Sequence, residues 1–211
     1  MKYAFLVFFC ALVCGCTLWQ TSTYDTAPGA SEEKEEETID WVEHLRQLTL
    51  LKEWQIKGKI GVRTANDGGS AYLDWSQSFD SFHLLLSGPL GQGSTIISGN
   101  PLGARLQNSD GIFLSDSPEQ LVADHTGWEI PINHLLYWVK GIPAPDDEPT
   151  MTHNEKGLLS KLTQDGWTLS YDRYVDAMGQ TLPRRIKLTK EDLKVTLVIK
   201  QWLPLRNGEG Q

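Results

Sequence analysis

From Trp54 onward the chain alternates. Trp54, Ile56, Gly58, Ile60 and Val62 are interleaved with Gln55, Lys57, Lys59, Gly61 and Arg63, the period of two that marks a strand with one buried and one wetted face. Ala71, Leu73 and Trp75 repeat the pattern after an Asn66-Asp67-Gly68-Gly69 turn, a sequence suited to a tight hairpin. Residues 82–86 are apolar on both faces, and a strand near 94–98 follows the loop 87–93. Residues 105–107 and 112–114 flank Asn108-Ser109-Asp110-Gly111 as a short hairpin. After a Pro- and Asp-rich loop at 143–149 the alternation returns at Trp167, Leu169 and Tyr171, at Ile186 and Leu188, and along Leu193, Val195, Leu197 and Ile199 to Trp202. Consecutive strands with tight turns predict an antiparallel meander of about ten strands.

Three stretches carry the helical period instead. Trp41, Leu45 and Leu48 make one apolar stripe behind Thr38 as N-cap, with Asp40 in the first turn, where a carboxylate favours the helix dipole. Ser117-Pro118-Glu119-Gln120 supplies an N-cap, a proline at N1 and a capping-box glutamine, and Gly127 ends that helix. Pro131 opens a third, with Ile132, Leu135, Leu136 and Val139 facing inward and Gly141-Ile142-Pro143 closing it. A sheet this long curls, and helices cover its open side. The expected class is therefore mainly β (α+β), a curled antiparallel sheet with an apolar cavity under about three helices.

The N-terminus changes the picture. Lys2 precedes an apolar run over residues 4–13, far short of the roughly 20 residues a membrane-spanning helix needs. Val13-Cys14-Gly15-Cys16 then resembles a lipobox, with Cys14 its weakest position, which marks Cys16 for lipidation. An ordinary secretory signal cleaved nearby, or an uncleaved anchor, is the competing reading. The expected organisation is a signal at 1–15, a lipidated Cys16 with a flexible acidic tether at 16–37, one folded domain at 38–204 and a flexible tail at 205–211. The tether carries Glu32, Glu33, Glu35, Glu36 and Glu37, a solvated, self-repelling composition. Thr17 follows the cysteine where an Asp commonly retains lipoproteins at the inner membrane, so the expected address is the outer membrane, lipid-anchored and facing the periplasm.

Charge and missing chemistry narrow the function. With 19 Lys and Arg against 27 Asp and Glu, the chain carries a net charge of −8. An acidic body argues against nucleic acid and anionic headgroups as main partners and suits a partner with a basic face. The three cysteines all lie in the first 16 residues, leaving no disulfide framework and no cysteine metal site. Gly88-Pro89-Leu90-Gly91-Gln92-Gly93 is not a phosphate loop, there is no GxSxG, and Gly127 and Pro131 break any helix that would align His125 with Glu129 as ligands. The expectation is a monomer that is not an enzyme, with no cofactor and no metal.

What remains is apolar surface. Trp75, Leu85, Ile97, Leu106, Phe113, Trp138, Trp167, Leu169, Tyr171, Leu197 and Ile199 are the candidates to line the cavity. Each taken alone reads as packed core; as a group, with Gly58 and Gly61 nearby to make room, they point to a hollow. Leu90 is a lone large apolar residue in a Gly/Pro loop. It either tucks back, as in an ordinary hairpin, or stands out at the tip and wedges into a bilayer.

These residues together resemble one family, the outer-membrane lipoprotein receptor LolB. The likeness rests on the lipobox at Cys16, the strand near Trp54, and the Leu84-Leu85-Leu86-Ser87-Gly88-Pro89-Leu90-Gly91 segment. It continues through Ile130-Pro131-Ile132-Asn133-His134-Leu135-Leu136-Tyr137-Trp138-Val139-Lys140-Gly141-Ile142-Pro143, the Gly166-Trp167 strand, Leu182-Pro183 and Ile199-Lys200-Gln201-Trp202. The resemblance implies a half-barrel whose cavity takes acyl chains of client lipoproteins from the periplasmic carrier LolA, without nucleotide, for insertion into the outer membrane. It implies that Pro89, Leu90 and Gly91 form the membrane-insertion loop. Gly88 stands where some members have Asn, and the acidic tether is longer. A lipid or glycolipid carrier would instead bind free lipid, and a purely structural outer-membrane lipoprotein would have a filled core.

Overall fold

The structure, a computed structural model, describes residues 38–88, 93–145 and 147–205. The expected signal, Cys16, the tether, the tip residues Pro89, Leu90 and Gly91, and the tail beyond 205 lie outside the described residues. Within them, helix α1 (Trp41–Leu50) leads into six strands: β1 (Glu53–Arg63), β2 (Gly68–Ser78), β3 (Ser81–Ser87), β4 (Ser94–Asn100), β5 (Gly103–Asn108) and β6 (Gly111–Ser115). Helices α2 (Pro118–Thr126) and α3 (Ile132–Trp138) follow, then β7 (Thr150–His153), β8 (Leu159–Gln164), β9 (Trp167–Ala177), β10 (Gln180–Lys190) and β11 (Leu193–Leu203).

All the strands form one antiparallel sheet in the order β6-β5-β4-β3-β2-β1-β11-β10-β9-β8-β7. Two meanders, β1 to β6 and β7 to β11, are joined where β1 pairs with β11. The edge strands β6 and β7 are consecutive in sequence but lie at opposite ends of the sheet and do not pair. The half-barrel stays open, and the chain linking its edges has to cross it, carrying α2 and α3.

Alternation decides the inner face. Trp54, Ile56, Leu73, Trp75, Leu197 and Ile199 are buried together with Leu48 of α1 and with Trp138, Val139 and Ile142 from the end of α3. Trp54 packs edge-on against Trp75 and Trp202, with ring centres 5.0 and 5.5 Å away. A second cluster joins Ile97, Ala104 and Leu106 of β4 and β5 to Leu121 and Val122 of α2 and Ile132 of α3. The helices therefore lie on the inner face.

The helix ends mostly follow the sequence. Ser117 Oγ accepts from the Gln120 amide, and Gly127 ends α2 at φ 72°. Gln120 turns away from a reciprocal capping box and donates to Asp124. α1 begins later than expected: Asp40, not Thr38, is its N-cap, its carboxylate accepting from the amides of Val42 and Glu43. Strands β7 and β8 are absent from the sequence reading. The inward position at the end of β8 is Gln164, a polar residue that interrupts the alternation by which strands are recognised.

The C-terminal end of α1 is closed from outside the helix. Lys140 is buried, and its Nζ donates to the carbonyls of Leu48 and Leu51 at 2.8 and 3.2 Å, groups a helix leaves unpaired at its end. Burial, with Lys52 nearby, pulls its pKa down to about 8. Its contribution to stability is thus present above the ordinary lysine value of 10.5 and is lost as pH falls through 8. Tyr171 and Tyr174, pushed up by burial, act in the opposite sense only above pH 10. Urea unfolding midpoints should rise between pH 8 and pH 10, and Lys140→Met should flatten that rise.

Candidate functional site

Between α3 and the sheet lies a cavity of about 50 Å³. Leu73 and Trp75 of β2, Leu84 of β3, Ile186 and Leu188 of β10, and Val195 and Leu197 of β11 form its wall, and Leu135, Trp138 and Val139 form its roof. Every lining residue is apolar and none titrates. The space is far below the roughly 300–1,000 Å³ of a pocket that takes a drug-sized ligand. A hydrocarbon chain enters only if the roof moves.

The roof is held at one end by a polar clasp. Gln164 Oε1 accepts from the Trp138 indole Nε1 at 2.9 Å and from the Ala144 amide at 3.0 Å. Its Nε2 donates to the carbonyls of Ala144 and Asp147 at 2.8 and 2.7 Å. Tyr171 adds a bond from its hydroxyl to the Trp138 carbonyl, 3.0 Å. Gly141 sits at φ 80°, where a Cβ would come within 2.9 Å of Pro183, so the turn after α3 packs directly on β10. The other end of the roof rests on Ile132 and Leu135 against the cluster under α2, with the Asn133 amide donating to the Glu119 carboxylate at 3.1 Å.

Of the residues expected to line the cavity, Trp75, Trp138 and Leu197 do so. Trp167, Leu169, Tyr171 and Ile199 face the same side but are packed in the main core. Ile97, Leu106 and Phe113 belong to the separate cluster beneath α2. Leu85 is a correction. It pairs with Asp74 and Ile96, whereas Leu84 pairs with Trp75 and Ile97, so Leu85 lies on the outer face and Leu84 on the inner. The run Leu84-Leu85-Leu86 is apolar throughout, so parity was undetermined until the register with Trp75 settled it. Gly58 is a second correction. A Cβ there would stand 2.1 Å from the Val198 carbonyl; the glycine admits the β11 backbone and hollows nothing. Gly61 opens on the outer face, opposite Ser70 and Thr196. Leu73, Leu84, Leu135, Val139, Ile186, Leu188 and Val195 were missed as lining, although those on strands carry the inward parity of their element.

Pro89, Leu90 and Gly91, expected from the sequence to form an insertion loop, lie outside the described residues, but the frame of their loop does not: the Gly88 amide donates to the Gly93 carbonyl at 3.0 Å, closing the loop between β3 and β4. Among the described residues no group of His, Cys, Asp or Glu is placed to hold a metal ion. No described helix is long and apolar enough to cross a membrane.

Comparison with known proteins agrees with this architecture. The family model of the outer membrane lipoprotein LolB matches residues 52–202. Outer-membrane lipoprotein LolB of Pseudomonas syringae pv. syringae is 44% identical over 170 residues, 80% of this chain and 83% of that protein. Its namesake in Pseudomonas fluorescens is 42% identical over 209 residues, 97% of this chain and 98% of that one. Among solved structures, a DUF1329 family protein from Desulfovibrio piger superposes with a TM-score of 0.51 over 82% of this chain and 95% of its own, at 6% identity, a likeness of fold alone. With the inner-face cavity, the open sheet and a family match across nearly all of the folded chain, this protein belongs to the LolB family of outer-membrane lipoproteins.

Proposed function

We propose that this protein accepts acylated lipoproteins from the soluble periplasmic carrier LolA, holds their acyl chains against the inner face of the half-barrel, and passes them to the outer membrane without nucleotide. The observation that carries this is the wholly apolar cavity roofed by α3. An apolar space under a helix is suited to hydrocarbon once that helix moves aside. Each buried CH₂ is worth about 0.8 kcal/mol. Transfer therefore runs downhill if this chain buries the acyl groups better than the carrier does, and no chemical step is needed.

In this reading Cys16 carries the lipid anchor and Pro89, Leu90 and Gly91 perturb the bilayer during release. The unlipidated chain from Thr17, incubated with carrier loaded with a radiolabelled lipoprotein, is expected to take up the label in the absence of ATP. A folded chain that takes up none would overturn the receptor role.

A further inference from the structure

Net charge conceals a division of the surface. On β1 the buried residues Trp54 and Ile56 alternate with exposed Lys57, Lys59 and, further along, Arg63. On β10 and β11, exposed Lys187, Lys194 and Lys200 alternate with buried Ile186, Val195 and Ile199. Strand alternation therefore puts these six cations on the outer face. Lys57 is paired with Asp74 and Lys187 with Asp172. Among the described residues no ion pair engages Lys59, Arg63, Lys194 or Lys200.

Arg63 and Lys194 are direct cross-strand partners. Like charges placed opposite each other destabilise a sheet unless an anion comes between them. They border a depression of about 580 Å³ that also includes Gly61, Gly68, Gly69, Ser70 and Thr196. A Cβ added at Gly69 would meet nothing within 4 Å, so this ground is open. Asp67, at the neighbouring hairpin tip, is engaged by the Gly68 amide.

We propose that this outer face docks anionic phospholipid headgroups of the bilayer, with a headgroup phosphate held between Arg63 and Lys194. Three features favour a bilayer over an acidic protein. Lys59 lies over the half-exposed Tyr72 ring, 4.6 Å from its centre, the pairing of cation and amphipathic aromatic found at membrane interfaces. Lys59, Tyr72 and Ser87 share one cross-strand row, so the patch ends beside the loop framed by Gly88 and Gly93. The family's outer-membrane location, on which this inference rests, keeps a lipid surface within reach of the tether at high effective concentration.

The test uses the unlipidated chain from Thr17, whose core lies wholly within the described residues, so that binding reports the face and not the anchor. Co-flotation with phosphatidylcholine vesicles is compared with vesicles holding roughly one-third phosphatidylglycerol. Binding to the anionic vesicles is expected to exceed binding to the neutral ones and to fall by at least about tenfold in R63E/K194E, with R63Q/K194Q intermediate and the urea midpoint showing that both variants fold. Equal binding to the two vesicle types, or unchanged binding by R63E/K194E, overturns the proposal. So does a variant that keeps vesicle binding but no longer takes up lipoprotein from the carrier, which would assign the face to an acidic protein. Loss of vesicle binding with lipoprotein uptake intact leaves the receptor function standing and confirms the second role.

Discussion

Gln164→Leu is expected to destabilise the fold by about 3–5 kcal/mol, although leucine keeps most of the volume, because it strands the polar groups that the amide serves. One buried amide here serves the Trp138 indole, both backbone groups of Ala144 and the Asp147 carbonyl. A buried donor or acceptor left without a partner costs about 1–3 kcal/mol. The four groups will share some relaxation and will not add in full. The urea midpoint measures the loss, with the slope of the transition showing that the unfolded state is unchanged. The effect should also reach function: with its clasp gone, the end of α3 is freed and a fluorescent fatty acid should enter faster. A loss under about 1 kcal/mol would mean that water replaces the amide, and that Gln164 does not hold the roof.

Gly58→Val is expected to cost about 3 kcal/mol or more, at the upper end for a single overpacking substitution. The new Cβ would stand 2.1 Å from the Val198 carbonyl oxygen and 3.1 Å from the Ile199 Cα. Both are backbone, so no side chain can turn aside. The site is the bulge between Lys57 and Gly58 in the β1–β11 ladder, the seam that joins the two meanders, and displacement there separates the halves of the core. Gly69→Ala, which meets nothing within 4 Å, is the control and should stay within about 0.5 kcal/mol. If the two substitutions cost the same, the seam is more pliant than its geometry implies.

These two positions show where the sequence was legible and where it was not. Alternation exposed β1, β2 and β11, because one face of each is buried and the other wet. The Ser117-Pro118 cap and Gly127 marked α2, because caps are local chemistry. Gln164 hid β8, because its side chain is polar for the sake of the clasp, and a burial pattern cannot distinguish that from a loop. Gly58 was read as room because an absent side chain looks the same whether it makes a hollow or admits a neighbouring backbone. Leu85 was placed on the inner face because three successive leucines leave parity to the partner strand. The cavity residues were recognised as a group yet mostly proved to be core. Both kinds of position are apolar and inward, and only the position of α3 decides which of them border the gap. Net charge hid the basic outer face for a similar reason, since composition averages over surfaces that the sheet keeps apart.

In the proposed function acyl chains enter between α3 and the inner face. A photo-reactive benzoylphenylalanine placed at Leu84, at Leu135 or at Leu85 of the unlipidated chain, irradiated after mixing with carrier loaded with radiolabelled lipoprotein, tests this path. Leu84 and Leu135 border the cavity and Leu85 faces away from it. Label should cross-link at positions 84 and 135 and not at 85. Label at 85 with none at 84 and 135 would place the lipid on the outer face and rule out entry beneath α3.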